Sequence, residues 1–112
     1  MEMTAALAAL GALSHETRLT AFRRLVKAGP DGLTVGELRT ALDIPPATLT
    51  AHLNALRAAH LVQDRREGRV IRVSADFARM DALMGYLTEN CCAESTCCPP
   101  ESRQRRAAGK RA

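Results

Sequence analysis

Between Thr34 and Leu56 the chain encodes two short helices separated by a turn that neither helix can run through. Thr34-Val35-Gly36-Glu37 puts threonine at a cap position and glutamate three residues later. The two side chains can then satisfy each other's orphan backbone donors, and the helix they open is expected to reach about Leu42. Asp43-Ile44-Pro45-Pro46 closes it, because a residue before proline is pushed out of helical dihedrals and a proline is pre-set for the first position of the next helix. In that next helix Leu49, Leu53 and Leu56 fall on one apolar stripe. The other side carries Ala47, Thr48, Thr50, Ala51 and Asn54, small or uncharged residues that let a large partner approach closely. Two short helices joined by a four-residue turn, the second with such a face, form the pattern of a helix-turn-helix.

The flanking segments complete a winged version of that motif. Met3, Leu7 and Leu10 recur at helical spacing in an alanine-rich first helix. Ser14 is placed to cap a second helix, with Glu16 in its first turn and Leu19, Phe22 and Val26 as its stripe. Gly29-Pro30-Asp31-Gly32 ends it. Beyond the helix-turn-helix, Leu61–Arg66 and Arg69–Val73 are strand-like runs around Glu67-Gly68, a β-hairpin whose tip is expected to gather Arg65, Arg66, Arg69 and Arg72. A last helix begins near Asp76 and carries Phe77, Met80, Met84 and Leu87 on one seam. The expected fold is mainly α with a hairpin wing, in the order ααααββα. The apolar stripes of the first and last helices find no partner in so small a domain, and aromatic residues are limited to Phe22, Phe77 and Tyr86. Both observations predict a homodimer closed through those two helices.

Charge is unevenly distributed. Five of the sixteen basic residues lie in the last ten positions, which hold no acid, so eleven bases face twelve acids in the rest of the chain. A polyanion site in the body must therefore be a local patch, and the hairpin arginines are the one candidate. So few aromatics argue against recognition by base stacking. No apolar run approaches the length of a membrane span, and Met1-Glu2-Met3-Thr4 lacks the positive charge of a secretory signal, so a cytoplasmic protein is expected. No phosphate-cradling glycine loop and no Cys-His or Ser-His-Asp grouping points to an enzyme; a small thiol reductase would rest on the cysteines alone.

All four cysteines, Cys91, Cys92, Cys97 and Cys98, lie within eight residues. Clustered reduced thiols read as ligands or redox groups. Without histidine nearby they favour soft or thiophilic ions such as As(III), Sb(III), Cd, Pb or Cu(I), while four sulfurs also meet zinc's count. On a continuous helix Cys91 and Cys98 would stand about 10.5 Å apart along the axis, and Cys91 and Cys92 would point about 100° apart. The helix is therefore expected to stop near Cys92 if three sulfurs are to meet one ion. A thiol-oxidation sensor pairing Cys91 with Cys98 uses the same residues.

This order of elements resembles the ArsR/SmtB family of dimeric winged-helix metal-sensing repressors. The resemblance is carried by Leu10-Gly11-Ala12-Leu13-Ser14-His15-Glu16-Thr17-Arg18-Leu19, by Thr48 through Ala59 (TLTAHLNALRAA), and by Arg66-Glu67-Gly68-Arg69, and it covers residues 5–92. Tyr86-Leu87-Thr88-Glu89-Asn90-Cys91-Cys92 is similar to the arsenic-sensing branch with thiols after the last helix. Thr34, Gly36 and Arg39 stand where other members carry third-helix cysteines, and residues 76–89 lack the histidine of zinc sensors. Pro45 replaces the usual cap serine, and His60 the glycine that usually ends the recognition helix.

The resemblance implies a repressor that binds operator DNA as a dimer and lets go when As(III) or Sb(III) is held by Cys91, Cys92 and Cys98, with Cys97 as the rival third thiol. It implies DNA contacts from Ala47, Thr48, Thr50, Ala51, His52 and Asn54 and from Arg65, Arg66, Arg69 and Arg72. His52, beside the leucine stripe, reads as a packed residue ahead of a base reader. The chain then divides into a DNA-binding and dimerisation domain (1–90), a cysteine segment (91–98) and a basic tail expected to be disordered (99–112).

Overall fold

The computed structural model describes residues 1–94; Cys97, Cys98 and the basic tail lie outside the described residues. The elements run α1 (Met3–Leu13), α2 (Glu16–Ala28), β1 (Leu33–Thr34), α3 (Val35–Leu42), α4 (Pro46–Ala58), β2 (Val62–Glu67), β3 (Val70–Ala75) and α5 (Phe77–Leu87). The strands form an antiparallel sheet in the order β1-β3-β2, with Arg65 opposite Arg72 and Glu67 opposite Val70 at the hairpin end. β1 joins through Leu33 opposite Val73 and Thr34 opposite Arg72. The fold is the expected winged helix-turn-helix with one strand more. At two residues, β1 is too short to leave a period-two pattern.

The capping box on α3 forms as its spacing requires: the Glu37 N–H donates to Thr34 Oγ1 and the Thr34 N–H to Glu37 Oε1. The bond from Thr34's backbone, then the Thr34 side chain and the cations of Arg72 and Arg24, hold the Glu37 carboxyl below the usual carboxylate range. α4 starts with Pro46 in its first turn, and Pro45 supplies the cap position without a side-chain bond. Leu49, Leu53 and Leu56 are buried to 1% exposure or less, and Leu25, Leu38, Leu61 and Val73 surround them with no exposed surface. The α4 stripe is thus the centre of the core, each leucine contributing about 1.5–3 kcal/mol of burial.

Three details of the helices differ from the periodicity. Ser14 ends α1, and the N-cap of α2 is His15, whose Nδ1 accepts from the Thr17 N–H. With the helix entered one residue later, its buried stripe is Ala21, Phe22 and Leu25; Val26 is half-buried and Leu19 stays exposed. α1 buries its small residues Ala6, Ala9 and Ala12, which allow close approach, and turns Met3, Leu7 and Leu10 outward. On α5 the seam splits likewise. Leu83 is buried, Phe77 and Met80 are half-buried, and Met84 and Leu87 are exposed.

Two positions carry backbone constraints of opposite kind. Gly32 has φ +66°, and a Cβ there would overlap the Val73 carbonyl. The chain can cross under β3 at that point only because the side chain is missing. His60, at φ 61°, is the left-handed residue after α4, with Leu61 N–H donating to the Leu56 carbonyl and His60 N–H to the Arg57 carbonyl. That is a Schellman exit, in which glycine is the unstrained choice. Gly32→Ala is therefore expected to cost roughly 2–4 kcal/mol, and His60→Gly to stabilise by about 0.5–1 kcal/mol. Urea unfolding of both variants checks the opposite signs.

Candidate nucleic-acid interface

The outer face of α4 is assembled as its sequence suggested. Ala47, Thr48, Thr50, Ala51 and Asn54 are exposed, whereas His52 is half-buried beside the leucine stripe. The Thr50 hydroxyl donates 3.0 Å back to the Pro46 carbonyl, so an acceptor and a methyl group remain for a partner. Asn54 is held from one side: Arg57 Nη1 donates 3.0 Å to its Oδ1. The rest of that guanidinium is spent on Asp64 of β2, with Nε and Nη2 both 3.2 Å from Oδ1 and Nε 3.1 Å from Oδ2. Arg57 therefore ties the recognition helix to the wing. It lay inside the quoted family motif without a role; its spacing of three from Asn54 and seven from Asp64 was the available signal.

The wing sorts its arginines into two classes. Arg65 and Arg72 are directly opposite each other on neighbouring strands, a destabilising pairing for like charges. Glu67 resolves it by accepting from Arg65 Nη2 at 3.0 Å and Arg72 Nε at 3.0 Å, and Arg72 Nη1 lies 4.0 Å from Glu37. Arg72 thus sits in mid-sheet between two carboxylates, not at the hairpin tip where spacing placed it. Its strand runs from Val70 to Ala75, which moves the position away from the turn. Arg66 and Arg69 are exposed and make no ion pair among the described residues.

A second link joins α4 to α2. Arg18 Nε donates 3.2 Å to His52 Nδ1, and the His15 ring lies with its centroid 4.6 Å from that of His52. Partial burial, then His15, then the Arg18 cation push the His52 imidazole below its usual range. An Nδ1 that accepts from Arg18 places the neutral ring's proton on Nε2. His52 is therefore a strut between helices first. Because the folded state disfavours its protonation, the unfolded chain binds more protons as pH falls through the ordinary imidazole range, and stability falls with it. Thermal unfolding is expected to show a lower midpoint at pH about 5.5 than at about 7.5, and His52→Gln is expected to remove most of that slope. An unchanged slope in the variant would assign the effect to another group.

The cysteine segment begins where α5 ends. The helix stops at Leu87, five residues before Cys92, and Thr88 caps it by donating N–H and Oγ1 to the Met84 carbonyl. Asn90 (φ 59°) and Cys92 (φ 58°) take left-handed conformations, and Cys91 N–H donates 3.0 Å to the Thr88 carbonyl. Side chains that a helix would splay are turned toward each other: Cys91 Sγ and Cys92 Sγ lie 3.7 Å apart. Among the described residues no three His, Cys, Asp or Glu side chains converge on one point. The predicted third thiol, Cys98 or Cys97, lies outside the described residues.

A family model described as a helix-turn-helix domain matches residues 13–65. No curated protein matches the sequence. Among solved structures, an ArsR-like transcriptional regulator from Rhodococcus sp. RHA1 shares 28% identity, with 97% of this chain and 93% of that one covered and a TM-score of 0.69. NolR from Sinorhizobium fredii is 30% identical over 79% of this chain and 85% of its own, with a TM-score of 0.61. The homodimeric winged helix-turn-helix DNA-binding domain from Mycobacterium bovis, at 24% identity, covers 87% of this chain and 90% of its own, with a TM-score of 0.62. With the recognition face, the wing and these relatives together, the chain belongs to the ArsR family of winged helix-turn-helix DNA-binding transcriptional regulators and is not an enzyme.

Proposed function

We propose that the protein is a cytoplasmic homodimeric repressor that binds a two-fold symmetric operator and releases it when As(III) or Sb(III) is chelated by Cys91, Cys92 and Cys98, with Cys97 as the alternative third thiol. The observation that carries the inducer is the 3.7 Å Cys91–Cys92 sulfur pair at the end of α5. Two thiolates bonded to one tetrahedral or pyramidal centre at about 2.3 Å stand roughly that far apart. Thiolates are the donors a soft trivalent metalloid takes. As(III) would complete its set with one distal thiol, so that binding would couple to the conformation of the chain.

The dimer is supported by apolar side chains left outside the core. Met3 and Leu7 on α1 are 64% and 62% exposed, and Met84 and Leu87 on α5 are 59% and 55% exposed. Of these, Met84 also lines an apolar groove between α2 and α5, together with Leu19, Phe22, Val26 and Met80. A large exposed apolar patch marks an interaction surface, and the Mycobacterium bovis relative is described as homodimeric. The cysteines follow directly on this face, so a ligand on them can bias the geometry between protomers and hence the spacing of the two α4 helices. No described helix is long and apolar enough to cross a membrane.

Two measurements test the reading. On a duplex selected from random sequence, Arg66→Ala and Arg69→Ala are each expected to reduce the slope of log affinity against log salt by about one phosphate's worth, ~0.9. Arg72→Ala is expected to change it less, because Glu67 and Glu37 already oppose that charge. Equal slopes in all the variants and the parent would take the wing off the DNA.

Fluorescence anisotropy of the same complex, titrated with arsenite, cadmium, zinc and peroxide, identifies the inducer. Arsenite is expected to release the DNA. Cys91→Ser, Cys92→Ser and Cys98→Ser should each abolish release while leaving ligand-free binding close to the parent's, with Cys97→Ser milder, since serine offers a hard oxygen. Release by peroxide and not by arsenite would favour a thiol-oxidation sensor. Release by cadmium or zinc alone would make the same thiols a site for those ions.

A further inference from the structure

We infer that Asn54 is a donor-only base reader, oriented by Arg57, and that it selects guanine over adenine at one position of each half-site. The inference rests on the reading of α4 as the recognition helix and names what one of its side chains reads. Asn54 is exposed, and its Oδ1 accepts 3.0 Å from Arg57 Nη1. Arginine has donors and no acceptor, so the amide can meet it only oxygen-first, and the Nδ2 amine is left as the outward polar group. Arg57 cannot swing away without cost, since its Nε and Nη2 are engaged by Asp64 across the gap to β2.

Asparagine commonly reads adenine bidentately, giving a hydrogen from its nitrogen to N7 and taking one from the N6 amine on its oxygen. In this chain the oxygen that would take the N6 hydrogen is polarised by a guanidinium directly behind it. An incoming amine, from adenine N6 or cytosine N4, would point its positive hydrogens at that cation. Guanine presents N7 and O6, two acceptors side by side, to the Asn54 amine, and its electronegative edge suits the charge behind. Thymine presents one acceptor beside a methyl group and ranks second. Arg57 is thus a positioning residue: it fixes which way the Asn54 amide faces, and the Asp64 bond fixes Arg57.

The test is selection of duplexes from a randomised library by the full-length protein and its variants, read as base preference at every position. The parent is expected to yield a symmetric motif with one guanine-preferring position per half-site that Asn54→Ala flattens, by about five- to tenfold in discrimination and at that position only. Arg57→Met should shift that position toward adenine, because the freed amide can pair bidentately. Asp64→Ala, which leaves the Arg57–Asn54 bond but frees Arg57 from the wing, should keep guanine with weaker discrimination. Should Arg57→Met fail to fold, Asn54→Asp answers independently. It keeps a partner for Arg57 but offers no N–H, so the preference should move to cytosine or adenine. A position that prefers adenine in the parent, or an unaltered motif in both Asn54 variants, would overturn the inference while leaving the repressor reading intact. Uniform loss of affinity in Arg57→Met without a change of motif would make Arg57 structural only. Selection of no motif at all by the parent would overturn the DNA reading itself.

Discussion

A recognition helix can show one face to a partner only if its opposite face is held too firmly to roll, and here that hold is the burial of Leu49, Leu53 and Leu56. All three lie at 1% exposure or less against Leu25, Leu38, Leu61 and Val73, which come from α2, α3, the α4 exit and β3. Rotating α4 by one residue would take the stripe out of this packing and carry Thr48 or Thr50, depending on the sense, into it. The cost would be several buried leucine side chains and unpaired hydroxyls, far more than any single contact on the outer face can supply. The small, uncharged outer face depends on this one-sided anchoring, because its exposed side chains add nothing to the core.

Around that anchor, polar links set the remaining freedoms. Arg18 to His52 fixes α4 against the start of α2, and Arg57 to Asp64 fixes its other end against the wing. Neither pair is fully buried, so each is worth on the order of 1 kcal/mol or less. Their value lies in direction: a planar guanidinium with its nitrogens committed holds a partner in one orientation. On the wing the same chemistry works in reverse. Glu67 bridges Arg65 and Arg72, which the ladder forces together, while Arg66 and Arg69 make no ion pair among the described residues.

What was legible in the sequence was what a few neighbouring residues decide. The Thr34–Glu37 capping box, the Pro45-Pro46 entry to α4, the Leu49/Leu53/Leu56 stripe and the hairpin turn at Gly68 each depend on local geometry, and each formed where its spacing put it. What was not legible depends on tertiary approach. The Arg18–His52 bond spans 34 positions, and β1 exists only because Gly32 lets the chain lie against Val73. The stripe of α2 was misplaced for a related reason. Leu19 satisfies the period as well as Leu25 does, and only the way α2 is laid against the rest of the core decides which is covered. On the candidate metalloid site, the need for the helix to stop near Cys92 was legible, although it ends five residues earlier, at Leu87. The means, left-handed Asn90 and Cys92, was not, since both residues adopt that conformation less readily than glycine.

The proposed inducer response then has a physical requirement that the fold can meet. A ligand shifts an equilibrium only by its differential affinity for the two states. The thiol pair follows α5 by a single short turn, and α5 contributes Leu83 to the core while leaving Met84 and Leu87 outside it. A constraint on Cys91 and Cys92 therefore pulls on a helix that is fastened to the DNA-binding core by one side and available to a second protomer by the other. Within a protomer, the dense leucine packing resists deformation; between protomers, the exposed methionines, long and unbranched, can repack at little cost. In the proposed dimer the yielding element would be the face between protomers, and the quantity it would change is the distance between the two α4 helices, not the shape of either.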